Sequence, residues 1–145
     1  MKILGIEHVG IATNDLNKGK NFWEKILGIK KSYSEKVEDQ GVITDIYDTG
    51  NGKVELLLSK YPDSPIAKFI KKRGCGIHHL CLSDENIEEA ILELKQNNID
   101  TIGSTYTYGA EGFKVIFVHP SSTGGILLEL AEKKSENELI PIKLR

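Results

Sequence analysis

Four ionisable side chains interrupt apolar, strand-like segments, where a charge is expensive to bury. They are two histidines and two glutamates: His8, Glu55, His79 and Glu129. Two carboxylates balance the charge of one divalent cation, and two neutral imidazoles add ligands without adding charge, so a shared metal would remove the cost of burial. This mixed set of nitrogen and oxygen donors is too hard for copper(I) and too rich in nitrogen for calcium. It leaves zinc, cobalt, nickel, manganese or iron.

The same pair of residue types occurs twice along the chain. Residues 5–11 (GIEHVGI) match residues 76–82 (GIHHLCL) at an offset of 71, which relates His8 to His79. Glu55 and Glu129 are separated by a similar distance of 74 residues. Each half therefore supplies one imidazole from its first strand and one carboxylate from its last, and a two-fold pseudosymmetry would bring all four together.

Each half predicts a strand, a helix and then two or three further strands. After the first strand, polar residues that can cap a helix precede an apolar stripe with helical spacing, at 16–26 in one half and 87–94 in the other. Two strand-like runs joined by a glycine-containing turn follow, at 42–58 and 114–130. A half of about 55 residues is too small to bury both faces of its own sheet, so the halves should pack together in one α+β domain spanning 1–145.

A linker helix over 64–74 separates the first module (about 3–60) from the second (about 75–131). A serine followed by proline can open this helix, and Gly74 can end it. Its last turn carries the basic run 71–73, which either receives the phosphates of a large anionic ligand or reflects the general preference for cations at a helix C-terminus. The tail, 132–145, is either frayed or an added edge strand.

The composition excludes several classes of protein. With 145 residues, a net charge of -2 and no apolar run near the length of a membrane span, the chain predicts a cytoplasmic protein that binds neither nucleic acid nor membrane. Its two cysteines, Cys75 and Cys81, predict reduced thiols that pack in the interior.

Two further histidines stand near the proposed metal ligands. His78 adjoins His79, and because alternate strand residues face opposite ways we expect it on the other face in a structural role. His119 precedes Pro120 at a strand end, and a role in the turn or at the rim of a substrate site remains open.

Several blocks between about residue 5 and residue 131 match a known superfamily. The most specific are SPIAKF at 64–69 and HP followed by GG within 119–125, and others include the segments around His8, Gln40, His79 and Glu129. On these blocks the chain resembles the vicinal oxygen chelate superfamily and, within it, the methylmalonyl-CoA epimerase family. The resemblance implies two βαβββ modules forming an open, cupped eight-stranded mixed sheet in a homodimer. It also places ligands to a divalent metal, such as cobalt, zinc, nickel or manganese, at His8, Glu55, His79 and Glu129.

The resemblance also implies a reaction, in which the 2R and 2S forms of methylmalonyl-CoA interconvert by proton removal at C2 through a metal-stabilised enolate. Glu129 is the first candidate for the base. Some epimerases carry a second glutamate where this chain has Thr44, and the adjacent Asp45 can substitute only if a bulge or register shift turns it inward. The phosphates of coenzyme A would meet basic residues drawn from Lys68, Lys71, Lys72, Arg73 and Lys114.

Three alternatives share the same scaffold. Glyoxalase I uses a similar metal on a glutathione hemithioacetal, but the SPIAKF block resembles the epimerases instead. An iron-dependent ring-cleaving dioxygenase needs two histidines and one glutamate, and the fourth ligand argues against it. Binding modules that sequester small molecules also use this fold, but they generally lack the metal set.

Overall fold

Eight strands form one sheet in this computed structural model, which describes residues 1–133. The tail expected at 132–145 therefore lies almost entirely outside the described residues. Along the sheet the strands run in the order β2-β3-β4-β1-β5-β8-β7-β6. Their bounds are β1 Ile3–Thr13, β2 Lys31–Val37, β3 Val42–Asp48, β4 Lys53–Ser59, β5 Gly76–Asp84, β6 Thr101–Tyr108, β7 Lys114–Val118 and β8 Leu128–Glu132.

The two modules meet along their first strands. β1 pairs antiparallel with β5, and each of these strands pairs in parallel with the last strand of its own module, β4 or β8. The remaining neighbours are antiparallel. Each module thus contributes its four strands in the same order about the central pair. The predicted open, eight-stranded mixed sheet of two βαβββ modules is confirmed.

The helices begin where polar side chains satisfy free backbone N–H groups. α1 (Leu16–Gly19) is capped by Asp15 and continues as a π-helical segment, Lys20–Ile26. The linker helix α2 (Pro65–Arg73) begins after Ser64 as predicted, and α3 (Ile87–Gln96) begins after Asn86. A short α4 (Pro120–Thr123) replaces the turn expected before β8, and that strand consequently begins two residues later than predicted.

The core is divided between the modules. One buried cluster lies under α2 and contains Ala12, Val37, Val42, Leu57 and Ile66, and a second lies under α3 and contains Ile87, Ala90, Ile116 and Leu130. A third, smaller cluster contains Cys81, Val115 and Ala131. Cys81 is fully buried as expected, but Cys75 is exposed because it lies in the link between α2 and β5. Within residues 1–133, no helix combines the length and apolar character needed to traverse a lipid bilayer.

Candidate metal centre

The register of the four central strands explains why the predicted ligands converge. Gly10 on β1 lies opposite Glu55 on one side and His79 on the other. Cys81 on β5 likewise lies opposite His8 and Glu129. In each of these two sets of cross-strand partners, a small residue lies between two predicted ligand side chains. The two small residues, Gly10 and Cys81, occupy equivalent positions in the repeat. The four side chains share one face of the sheet at the junction of the modules.

His8 lies at the middle of this cluster and uses both ring nitrogens. Its Nδ1 is 2.8 Å from Glu55 Oε2, and its Nε2 is 3.1 Å from Glu129 Oε1. His79 Nε2 lies 3.1 Å from the same Glu129 oxygen and 3.0 Å from His8 Nε2. None of the four residues is more than 6% exposed. Two overlapping sets of donor atoms are close enough for a shared ion, His8 with His79 and Glu129, and His8 with Glu7 and Glu55.

The electrostatics of the cluster favour a cation. Burial opposes the imidazolium of His8, but hydrogen bonds with Cys81 and with the surrounding carboxylates raise its pKa well above its ordinary value. Burial opposes the charge of Glu129 too, yet the two imidazoles hold its pKa below the usual range. The surrounding carboxylates thus favour a positive charge at the centre of the cluster. A divalent ion would supply it, and the buried nitrogen and oxygen donors fit zinc, cobalt, nickel or manganese.

Glu7 is a buried charge that the sequence analysis missed. Regular alternation along β1 would put Glu7 on the other face of the sheet from His8. The pairing of β1 with β5 skips Glu7, however, so the strand bulges there. The carboxylate lies 3.4 Å from His8 Nδ1, 3.3 Å from Lys53 Nζ and 2.9 Å from Lys133 Nζ. Burial raises its pKa, but His8 and the two lysines outweigh that effect and lower it to about 2.

A glycine leaves the space that the His79 ring occupies. A Cβ at Gly10 would lie 2.2 Å from His79 Cε1, 2.5 Å from Nδ1 and 2.7 Å from Nε2. These distances are far inside van der Waals contact, so only glycine allows the ring to lie against β1 in this position.

His78 does not take the position that strand alternation predicts. β5 bulges at this residue, since Gly10 pairs with His79 and Ile11 with Ile77. The bulge turns His78 towards His79, and the two Nδ1 atoms are 3.0 Å apart. Its ring also meets Phe69 of α2 edge-on at 4.9 Å. Burial and the neighbouring His79 lower the pKa of His78 to about 4, which keeps its imidazole neutral at pH 7.

Two clefts meet at His78 and His79. The first, of about 270 Å³, is largely apolar and lies between the modules; its walls include Gln40, Val42, Ile66, Phe117 and Leu127. The second, of about 370 Å³, runs along the end of α2 and is lined by Phe69, Lys72, Arg73, Pro120 and Ile126 among others. The cluster of charged residues is therefore reached from an apolar cleft that continues towards a basic helix end.

The predicted phosphate-binding residues separate into two groups. Lys72 and Arg73 line the second cleft, whereas Lys71 faces a different depression on the other side of α2. Lys68 lines neither of the two clefts. Lys114 is far along the sheet, where it pairs with Glu88 at 3.7 Å and Glu132 at 3.9 Å.

Asp45 does not reach the cluster. The pairing of β3 with β4 is regular, with Thr44 opposite Leu57 and Asp45 opposite Leu56, so the bulge that would turn Asp45 inward is absent from this pair. Leu57 lines the small gap among the predicted ligands, which places Thr44 on the site face and Asp45 on the opposite face. There the Ser34 hydroxyl donates a hydrogen bond to Asp45.

His119 belongs to a turn. Its Nδ1 accepts a hydrogen bond from the backbone N–H of Ser121 at 3.0 Å and thereby caps α4. Of the two roles left open for this histidine, the geometry supports the one in the turn.

Comparisons with known proteins agree with the geometry. The family model of the Glyoxalase/Bleomycin resistance protein/Dioxygenase superfamily matches residues 7–117. The mitochondrial methylmalonyl-CoA epimerase of Homo sapiens is 39% identical over 128 residues, which cover 88% of this chain and 73% of that protein. The crystal structure of methylmalonyl-CoA epimerase from Mycobacterium tuberculosis matches with a TM-score of 0.88 at 28% identity, over 94% of this chain and 92% of that chain. A methylmalonyl-CoA epimerase in complex with methylmalonyl-CoA and NH4+ matches with a TM-score of 0.86 at 25% identity, over 92% of this chain and 97% of that chain.

Proposed function

We propose, from the premise that the chain belongs to the glyoxalase/bleomycin resistance protein/dioxygenase superfamily and to its methylmalonyl-CoA epimerase family, that it interconverts (2R)- and (2S)-methylmalonyl-CoA. The observation that carries this proposal is the convergence of two histidines and two glutamates around one small buried gap, with His79 also lining both clefts. The reaction removes the proton at C2 and returns it to either face, so it needs a base and a means of stabilising the enolate.

His8, Glu55, His79 and Glu129 would hold a divalent metal ion. Bound there, the ion supplies Lewis-acid stabilisation of the negative charge that develops on the thioester oxygen, an effect of several kcal/mol. The walls of the small gap around these residues include Leu57, Phe113 and Val115, which exclude bulk water and strengthen electrostatic interactions inside.

Glu129 is the base that we assign to the proton transfer. Its Oε1 receives the contacts of both imidazoles, so the proton of C2 is assigned to the other oxygen, Oε2. Because Asp45 lies on the opposite face of the sheet, we assign no second base, and Glu129 alone transfers the proton. Epimerisation by one carboxylate requires that it reach both faces of a planar enolate.

The coenzyme A portion fits the second cleft. Phe69, Pro120 and Ile126 offer an apolar wall for the pantetheine chain, and Lys72 and Arg73 offer cations for the phosphates. These two residues are the part of the predicted basic set that we retain. Their position at the last turn of α2 leaves both side chains exposed and able to follow a mobile anionic group.

We further propose a homodimer in the cytoplasm, as expected from the sequence. Ile3, Leu4 and Ile6 on β1 are 44%, 59% and 62% exposed, which is unusual for neighbouring large apolar residues and fits coverage by a second copy. Light scattering during size-exclusion chromatography tests this, since a mass near the 16.1 kDa of one chain would contradict it.

Deuterium exchange at C2 tests the activity directly. The purified protein, loaded with cobalt(II) or zinc(II), should exchange the C2 hydrogen of methylmalonyl-CoA with deuterated water, followed by mass spectrometry or NMR. In a parallel reaction, the hemithioacetal of methylglyoxal and glutathione should remain unchanged. Turnover of the hemithioacetal alone would assign the protein to glyoxalase I instead.

A further inference from the structure

His79 must present one particular nitrogen to a metal ion. Its Nε2 faces the cluster, 3.1 Å from Glu129 Oε1 and 3.0 Å from His8 Nε2. A neutral imidazole carries its hydrogen on one nitrogen only, so Nε2 can be a ligand only when the hydrogen is on Nδ1. A group that accepts a hydrogen bond from Nδ1 would fix that tautomer and the orientation of the ring.

We propose that His78 is this group, a positioning residue that accepts a hydrogen bond from His79 Nδ1–H and so holds Nε2 towards the metal. The inference rests on the proposed function, because it assigns a role within the same site. The two Nδ1 atoms are 3.0 Å apart, and at that distance they share a single hydrogen. Since the hydrogen belongs to His79, His78 must carry its own hydrogen on Nε2 and offer the lone pair of Nδ1.

The fold restricts the position of both rings. The bulge in β5 allows two successive side chains to meet. The rings of Phe69 and His78 pack in a T-shaped contact, with 4.9 Å between their centroids. His79 lies against the bare Gly10 backbone and makes a T-shaped contact with Phe117 at 5.7 Å. A regular strand would have turned His78 to the other face, so the bulge is what makes the contact available.

Replacement of His78 by Phe or by Asn separates this role from simple packing. Phe fills the space beside Phe69 but cannot accept a hydrogen bond. Asn is smaller, yet its Oδ1 can occupy about the position of Nδ1 and accept one. A packing role therefore predicts that Phe is tolerated better than Asn, whereas a positioning role predicts the reverse. His119→Asn is the matched control, because this histidine caps α4, lines neither cleft and can be replaced by another capping residue.

The test is calorimetric titration of the metal-free proteins with zinc(II), together with NMR of the ring nitrogens. We expect His78→Phe to weaken zinc binding about 10- to 100-fold, His78→Asn to keep most of the wild-type affinity, and His119→Asn to bind as wild type. Two-bond proton–nitrogen correlations on the zinc-loaded wild type should show a hydrogen on His79 Nδ1 and none on His78 Nδ1.

Four results would overturn the inference. Wild-type affinity in His78→Phe, or equal losses in Phe and Asn variants with unchanged melting temperatures, would remove the positioning role while leaving the metal centre intact. A hydrogen on His78 Nδ1 in the loaded protein would do the same. If the wild-type protein binds no zinc, the proposed metal centre fails and the role of His78 fails with it.

Discussion

Substitution of Gly10 by alanine tests the architecture of the site without removing any proposed ligand. The added Cβ would lie 2.2–2.7 Å from three atoms of the His79 ring, where ordinary contact begins at 3.4 Å. Either the ring or the backbone must move by roughly 1 Å. A misplacement of this size in an active site lowers the reaction rate about 100-fold. β1 is paired on both sides, with β4 and β5, so its backbone is fixed and the ring is what moves.

We expect Gly10→Ala to weaken zinc binding by about 10- to 100-fold and to lower the rate of C2 exchange by at least about 100-fold. Overpacking should lower the free energy of unfolding by only about 1–3 kcal/mol. Calorimetric titration, the exchange assay and thermal unfolding measure the three quantities. Val9→Ala is the control, because the neighbouring side chain lies on the other face and its loss does not touch the ring. Wild-type zinc affinity in Gly10→Ala would refute the claim that the bare glycine positions His79.

Three further predictions concern the base, the acid stability and the phosphate contacts. Glu129→Gln should lower the exchange rate by about 10²- to 10⁴-fold while Asp45→Asn leaves it unchanged; the opposite pattern would move the base to the other face of the sheet. Folding holds the pKa of Glu7 at about 2 against an ordinary 4.5, so its ionised form contributes stability that is complete above about pH 4.5 and is lost as the pH falls through about 2. In urea unfolding between pH 2 and 5, the free energy of unfolding of Glu7→Gln should therefore fall less steeply with acid than that of the wild type. An unchanged slope would contradict a stabilising role for the ionised Glu7. Lys72→Ala and Arg73→Ala should each raise KM for methylmalonyl-CoA about fivefold, from roughly 1 kcal/mol per exposed ion pair, whereas Lys114→Ala should leave KM as it is; equal effects at all three positions would indicate only a general loss of charge.

The repeat made the cluster of histidines and glutamates predictable from the sequence. An imidazole and a carboxylate at matching positions in two halves lie together when the halves share one sheet, because the first strands pair at the centre and the last strands flank them. The pairing of the first strands alone therefore places His8 and His79 near each other. The positions of Gly10 and Cys81 between the predicted ligands follow from the strand register. That register is known only once the strands are paired.

The features that the sequence did not predict depend on local departures from regular strands. Alternation put His78 on the wrong face and gave no reason to single out Glu7, because each residue occupies a bulge and a bulge leaves no distinct composition in a single sequence. For Asp45, by contrast, regular alternation holds. The bulge that would have turned this residue towards the cluster is not present between β3 and β4. The basic run at the end of α2 is divided by helix geometry, which turns Lys71 away from the cleft that Lys72 and Arg73 line.

The metal content of the purified protein tests the central claim most directly. Elemental analysis after dialysis against zinc(II) or cobalt(II) should give about one divalent ion per chain in the wild type and almost none in His79→Ala, with the fold of the variant checked by circular dichroism. Full retention of the ion by folded His79→Ala would contradict the proposal that the two halves of the chain bind one cation between them.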